Sequence, residues 1–155
     1  MKRNGREFCI AAALLALLAG PAASVVINEM ELNPPDGDVD WIEIYNPDNQ
    51  SVDISSWTAE ITDGSWTGQF ESVPAGTILP PQGFYVFNGL EGWAHDDGGY
   101  ASLYSASGEI LDKTAKRLDG MNNDFTYGRS PDGYDTDKDA DWGLRSATKG
   151  SSNIR

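Results

Sequence analysis

The stretch DTDKDADW, from Asp135 to Trp142, sets aspartates at positions 135, 137, 139 and 141. Carboxylate oxygens at short intervals are what calcium seeks, a hard cation that takes roughly six to eight oxygen ligands. In an extended strand the four would share one face at spacings of about 6.6 Å and span about 20 Å. Calcium holds its oxygens at roughly 2.3 to 2.6 Å, so a straight strand cannot bring all four to one ion. Either the loop curls, with Asp132 and Gly133 supplying the bend, or an ion takes two or three of them. An EF-hand is excluded: counted from Asp135, the glycine position holds Ala140 and the closing glutamate position holds Ser146. Two readings stand, a calcium site on Asp135, Asp137, Asp139 and Asp141 and a solvated acidic loop.

Other acids pose the same choice. Asp36, Asp38 and Asp40 with Glu43 surround the turn in PPDGDVDWIE. Glu29 and Glu43 are read as hydrogen-bonded to loop backbone or to Arg129. Hydrolytic chemistry finds little support. His95 is the single histidine, in the glycine-rich GWAHDDGGY, and no G-x-S-x-G elbow occurs; Ser130 is followed by proline in a turn. Zinc prefers the cysteine and histidine ligands that are missing here. A paired-carboxylate glycosidase needs a cleft on a larger scaffold than this chain provides. Trp66, Trp93 and Tyr100 fall among glycines and aspartates, where exposed rings can stack on sugars or cap the ends of a core.

These residues must be positioned by a single domain, residues 25–155, in a chain of 155 residues that opens with a targeting segment. Residues 1–24 read as a secretory signal peptide: Lys2, Arg3 and Arg6, an apolar run from Phe8 to Ala19, then Gly-Pro and the small Ala22 and Ser24 before Val25. The run is too short to span a bilayer. Cleavage would remove three of 11 basic and one of 24 acidic residues, leaving 8 against 23 and a net charge of −15. Such a surface repels nucleic acid and anionic membranes and leaves divalent cations, basic proteins or uncharged polymers as partners. The lone cysteine, Cys9, lies in the apolar run, so the mature chain has no disulfide. It lacks the preceding residues of a lipoprotein signal. Asn49 opens an N-Q-S sequon.

From Val25 onward short β-branched and aromatic runs alternate with Gly, Pro, Asn and Asp clusters, with no sustained helical period. Strands are expected at Val25 to Glu31, Trp41 to Tyr45, Val52 to Ile61, Gly76 to Leu79, Phe84 to Asn88, Ala101 to Ser105, Glu109 to Lys113, Phe125 to Gly128 and Trp142 to Leu144. About eight or nine short strands without crossover helices imply two packed antiparallel sheets. The expected core comprises Ile27, Ile42, Ile44, Ile54, Trp57, Ile78, Leu103, Leu111 and Phe125. In FYVF the sequence leaves open which pair of side chains faces inward. Because neither face of SVVINEME is wholly apolar, that strand is expected near a sheet edge.

Seven segments in order, VVINEM, DWIEIYNP, VDISSWT, GTILPPQGFYVF, SASGEILDK, YGRSPDGYDTD and ATKGSSN, together resemble the lamin-tail domain family across Val25 to Asn153. The resemblance implies an immunoglobulin-like β-sandwich that binds rather than catalyses, of the secreted or cell-surface kind found in prokaryotes. Lys149 stands where the family commonly has proline, which predicts a looser C-terminal closure. The coiled-coil rod and basic DNA-contacting surface of nuclear lamins have no counterpart, so filament assembly does not carry over. The expectation is a secreted, monomeric interaction module for a surface protein or polysaccharide. A small extracellular hydrolase or hydrolase accessory subunit and a self-associating structural component are the alternatives.

Overall fold

The computed structural model describes residues 24–90 and 98–153. Among them are eleven strands and a single 3-10 turn, Asp139–Asp141. A five-stranded antiparallel sheet has the order β11 (Trp142–Ser146), β10 (Phe125–Arg129), β1 (Val26–Glu31), β2 (Asp40–Tyr45), β7 (Phe84–Leu90). A four-stranded sheet has the order β5 (Trp66–Gln69), β4 (Thr58–Asp63), β8 (Gly99–Tyr104), β9 (Ile110–Lys113). The two-residue strands β3 (Val52–Asp53) and β6 (Ile78–Leu79) pair with each other. The all-β, antiparallel sandwich read from the sequence is the fold, with more strands than the pattern suggested.

Alternation builds the core. Ala59 pairs with Leu103 and Ile61 with Ala101, so these four line one face of the smaller sheet. Ile27 opposite Ile44 and Met30 opposite Ile42 line the facing sheet, joined by Phe87 and Tyr85 from β7. Tyr85 and Phe87 are therefore the inward pair of FYVF. Of the expected core, Ile27, Ile42, Ile44, Ile54, Trp57 and Leu103 are buried and Leu111 packs against them. Ile78 is exposed because Leu79 takes the inward position of β6.

Three expectations need correction. β1 is the central strand of its sheet, not an edge. The register slips between Ile27 and Glu29, and this bulge lets Ile27 and Met30 face the core although they lie three positions apart. Residues 52–61 form two strands, because the chain turns at Ser56, at φ 61°, and passes from one sheet to another. Trp66, expected in a loop, lies on β5.

Candidate functional site

The acidic run is organised by a cation, Arg129, the last residue of β10, which is 2% exposed. The bulge leaves Ile27 without a partner on β10. Arg129 Nε donates to the Ile27 carbonyl oxygen at 2.7 Å, and Asp112 Oδ2 on β9 accepts the Ile27 N–H at 2.7 Å. Two side chains thus complete one residue's backbone hydrogen bonding and clamp the two sheets together. Arg129 Nη1 donates to the Tyr134 carbonyl at 3.1 Å and to Asp135 Oδ1 at 2.9 Å, and the guanidinium lies 4.6 Å from the Trp142 ring centroid. Burial pushes the Asp112 carboxyl up, against the pull of the Ile27 N–H and the Arg129 charge.

The four aspartates are not an extended row. Asp137 adopts φ 56° and residues 139–141 form the 3-10 turn. Asp135 turns inward to Arg129, while Asp139 reaches outward to Arg117 at 2.8 Å. Asp141 is buried and accepts the N–H groups of Thr136 at 2.6 Å and Lys138 at 3.2 Å. Burial opposes ionisation of Asp141, yet those N–H groups, the Thr136 hydroxyl and nearby Arg129 hold its carboxyl below the ordinary carboxylate range. Among the described residues, no group of three or more acidic, histidine or cysteine side chains is gathered as a metal site. In this arrangement Asp135 and Asp139 pair with arginines and Asp141 accepts loop N–H groups.

Glu29 and Glu43 sit directly opposite each other on the outer face of the larger sheet, both fully buried. Like charges in that position repel, and the C-terminal segment resolves the conflict. Thr148 donates its N–H at 2.9 Å and its hydroxyl at 2.8 Å to Glu29, and Gly150 N–H donates to Glu43 Oε2 at 2.6 Å. The loop-backbone reading of both acids is correct. Burial pushes the Glu43 carboxyl up to about 7, against hydrogen bonds from Asn28 and Gly150. Asn153 Nδ2 secures the segment by donating to the carbonyls of Asn28 at 3.1 Å and Arg129 at 3.0 Å. The bonds that hold this segment to the sheet come from Thr148, Gly150 and Asn153, on either side of Lys149.

Trp66 and Tyr100, read as sugar-stacking rings or as caps of the core ends, do not share one surface. Trp66 is opposite Asp63 and Tyr100 opposite Thr62, consecutive residues of β4, so the two rings lie on opposite faces of the smaller sheet. The Trp66 ring covers Gly68, where a Cβ would lie 2.4 Å from it. Tyr100 carries the Lys113 ammonium 3.7 Å from its ring centroid. Trp93 and His95 lie outside the described residues.

A surface not anticipated from the sequence lies on β10 and β11. Met30 is opposite Tyr127, and Tyr127 opposite Leu144, so Phe125, Tyr127 and Leu144 occupy the core-side face of the larger sheet. The smaller sheet does not cover this end. Phe125 is 47% exposed and Leu144 56%, although their strand face is the apolar one. With Leu118 and Met121 they border a cavity of about 260 Å³. Phe125 was expected in the core; it has the right pleat but no opposing layer. Only its alternation with Thr126 hinted at this, and the sequence does not show where the second sheet ends.

The family model described as Lamin Tail Domain matches residues 19–140. Comparison with curated proteins gives no match. β11 and Asn153 extend the folded unit beyond the matched residues.

Proposed function

Because this chain belongs to the lamin-tail domain family, we propose that it is a non-catalytic interaction module, exported to the cell exterior, that binds a partner protein. The observation that carries the reading is the uncovered core-side face formed by Leu118, Met121, Phe125 and Leu144. Contiguous exposed apolar surface on a soluble domain marks an interaction site. Leu118, Met121 and Leu144 outnumber the exposed ring of Phe125 here, which favours a protein surface over a polysaccharide, for which several flat exposed rings would be called for. The acidic character of the mature chain favours a basic rim on that partner. Export rests on the basic and apolar pattern of residues 1–24. No helix among the described residues is long and apolar enough to cross a membrane.

The test is site-specific photo-crosslinking in the producing cells, with the probe at Leu144 or, as control, at Ser107 in the β8–β9 turn. The reading expects a discrete adduct with a second protein from Leu144 alone. Adducts only between copies of the chain would replace it with self-association, and equal labelling from both positions would contradict it.

A further inference from the structure

A second cavity, of about 270 Å³, opens on the outer face of the larger sheet beside the C-terminal segment. Register builds its floor: Glu31 is opposite Trp41, and Trp41 is opposite Asn88, so a carboxyl, an indole and an amide lie in one row across β1, β2 and β7. Asp38 from the β1–β2 connection, Asp124 from the segment before β10, and Lys149 complete the lining used here.

Glu31 differs from the neighbouring acids. It is 2% exposed, and its Oε1 accepts the Asn33 N–H at 3.1 Å. Oε2 is buried and accepts no hydrogen bond among the described residues. Glu29 and Glu43, one row along, have their carboxylate oxygens occupied by donors. A buried acceptor left unfilled costs stability unless something binds it. Lys149 shows what this lining accommodates: its ammonium donates to Asn88 Oδ1 and lies 5.2 Å from the Trp41 ring centroid. It occupies the amide end of the row, and Glu31 lies at the other.

We propose that the Glu31 end of this cradle binds a primary ammonium group, the side chain of a lysine presented by a basic partner. Three carboxyl groups, Glu31, Asp38 and Asp124, face one resident cation, so the cavity has acidic capacity to spare. An ammonium is a hydrogen-bond donor with no acceptor capacity, which is what an unfilled carboxyl oxygen such as Glu31 Oε2 calls for. A metal is disfavoured because the acids are not gathered closely enough to ligate one. This site lies on the outer face, away from the Phe125 surface, and does not depend on it.

Binding is linked to a proton. Burial, reinforced by Asp119 and Asp124, pushes the Glu31 carboxyl up to about 8 against the N–H groups of Asn33 and Leu32. Burial draws the Lys149 ammonium down, while Asp38 and Glu31 support its charge. At neutral pH Glu31 is mostly protonated, so an arriving ammonium displaces its proton and affinity rises as pH rises through that range.

The probe is N-acetyl-lysine methylamide, titrated calorimetrically into the full chain at about pH 6 and about pH 8.5 in buffers of different ionisation enthalpy. Expected are saturable binding, proton release on binding, and affinity several-fold higher at the upper pH. Glu31→Gln should abolish the interaction with the fold intact by circular dichroism, and Lys149→Met, at an exposed position, should strengthen it by removing a like charge. No binding, binding unchanged in Glu31→Gln, or equal binding of the uncharged norleucine analogue would overturn the proposal. So would binding of Ca²⁺ alone with the same dependence on Glu31, which would make the cradle a metal site.

Discussion

Asp112 and Arg129, from different sheets, hold the two ends of the same residue: Asp112 takes the Ile27 N–H and Arg129 the Ile27 carbonyl, each at 2.7 Å, with their charged groups 3.6 Å apart. A bulge in a central strand would ordinarily expose unpaired backbone to the interior. Here one charged side chain from each sheet fills the gap, and the ion pair joins the sheets where the bulge would weaken them.

Replacing Arg129 with Met would leave Asp112 buried without its counter-charge and the Ile27 carbonyl without a donor. Loss of one partner of a buried pair costs about 3 to 5 kcal/mol, so Arg129→Met should unfold at much lower urea concentration. Arg129→Lys should recover little of this, because a single ammonium cannot reproduce bonds to Ile27, Tyr134 and Asp135 together. Urea unfolding followed by tryptophan fluorescence measures both variants.

The pH dependence has a definite sign. Glu31 and Glu43 move from an ordinary 4.5 to about 8 and about 7 in the fold. Above 4.5 the folded chain holds protons that the unfolded chain has released, so their contribution falls as pH rises through the folded values. Stability should therefore be higher at about pH 5 than at about pH 8, and Glu31→Gln should reduce the difference. Urea titrations across that range, with and without the substitution, measure the slope.

Calcium should add nothing specific. Asp135 and Asp141 are engaged by Arg129 and by backbone N–H groups, and Asp139 pairs with Arg117. Thermal unfolding in EDTA, Ca²⁺ and Mg²⁺ should give equal midpoints for the two cations. A calcium-specific rise lost in Asp135→Asn/Asp137→Asn would show that the loop rearranges to bind the ion.

Two apolar truncations should separate the covered part of the core-side surface from the open part. Ile61, fully buried between the sheets, should lose about 2 to 5 kcal/mol on substitution by alanine. Phe125→Ser, at a half-exposed position, should cost well under half as much. Comparable losses at both sites would mean that the Phe125 face is packed in solution, as in a self-associated form. Denaturant melts with light scattering distinguish these outcomes.

The local signals that sequence carries well were turns and alternation, which is why Trp41 to Tyr45 and Phe125 to Gly128 match their strands closely. What it conceals is decided at a distance. The Asn28 bulge cannot be seen in SVVINEME, because the residues that make it tolerable, Asp112 and Arg129, lie far along the chain. The aspartate alternation does not tell how the loop bends, because Arg129 and the N–H groups of Thr136 and Lys138, which engage Asp135 and Asp141, decide it. The uncovered face at Phe125 and Leu144 follows from one sheet being wider than the other, a property of pairing order. The burial of Glu31 likewise depends on how the C-terminal segment crosses the outer face.

On the function proposed above, the Phe125 and Leu144 face attaches this module to a partner at the cell exterior. The most direct measurement is the distribution of the chain between washed cells and medium for the wild type and for Phe125→Ser/Leu144→Ser in the producing organism. The double variant should be exported, keep a thermal midpoint close to the wild type's, and be released to the medium while the wild type stays with the cells. Equal retention of both proteins on the cells would contradict it.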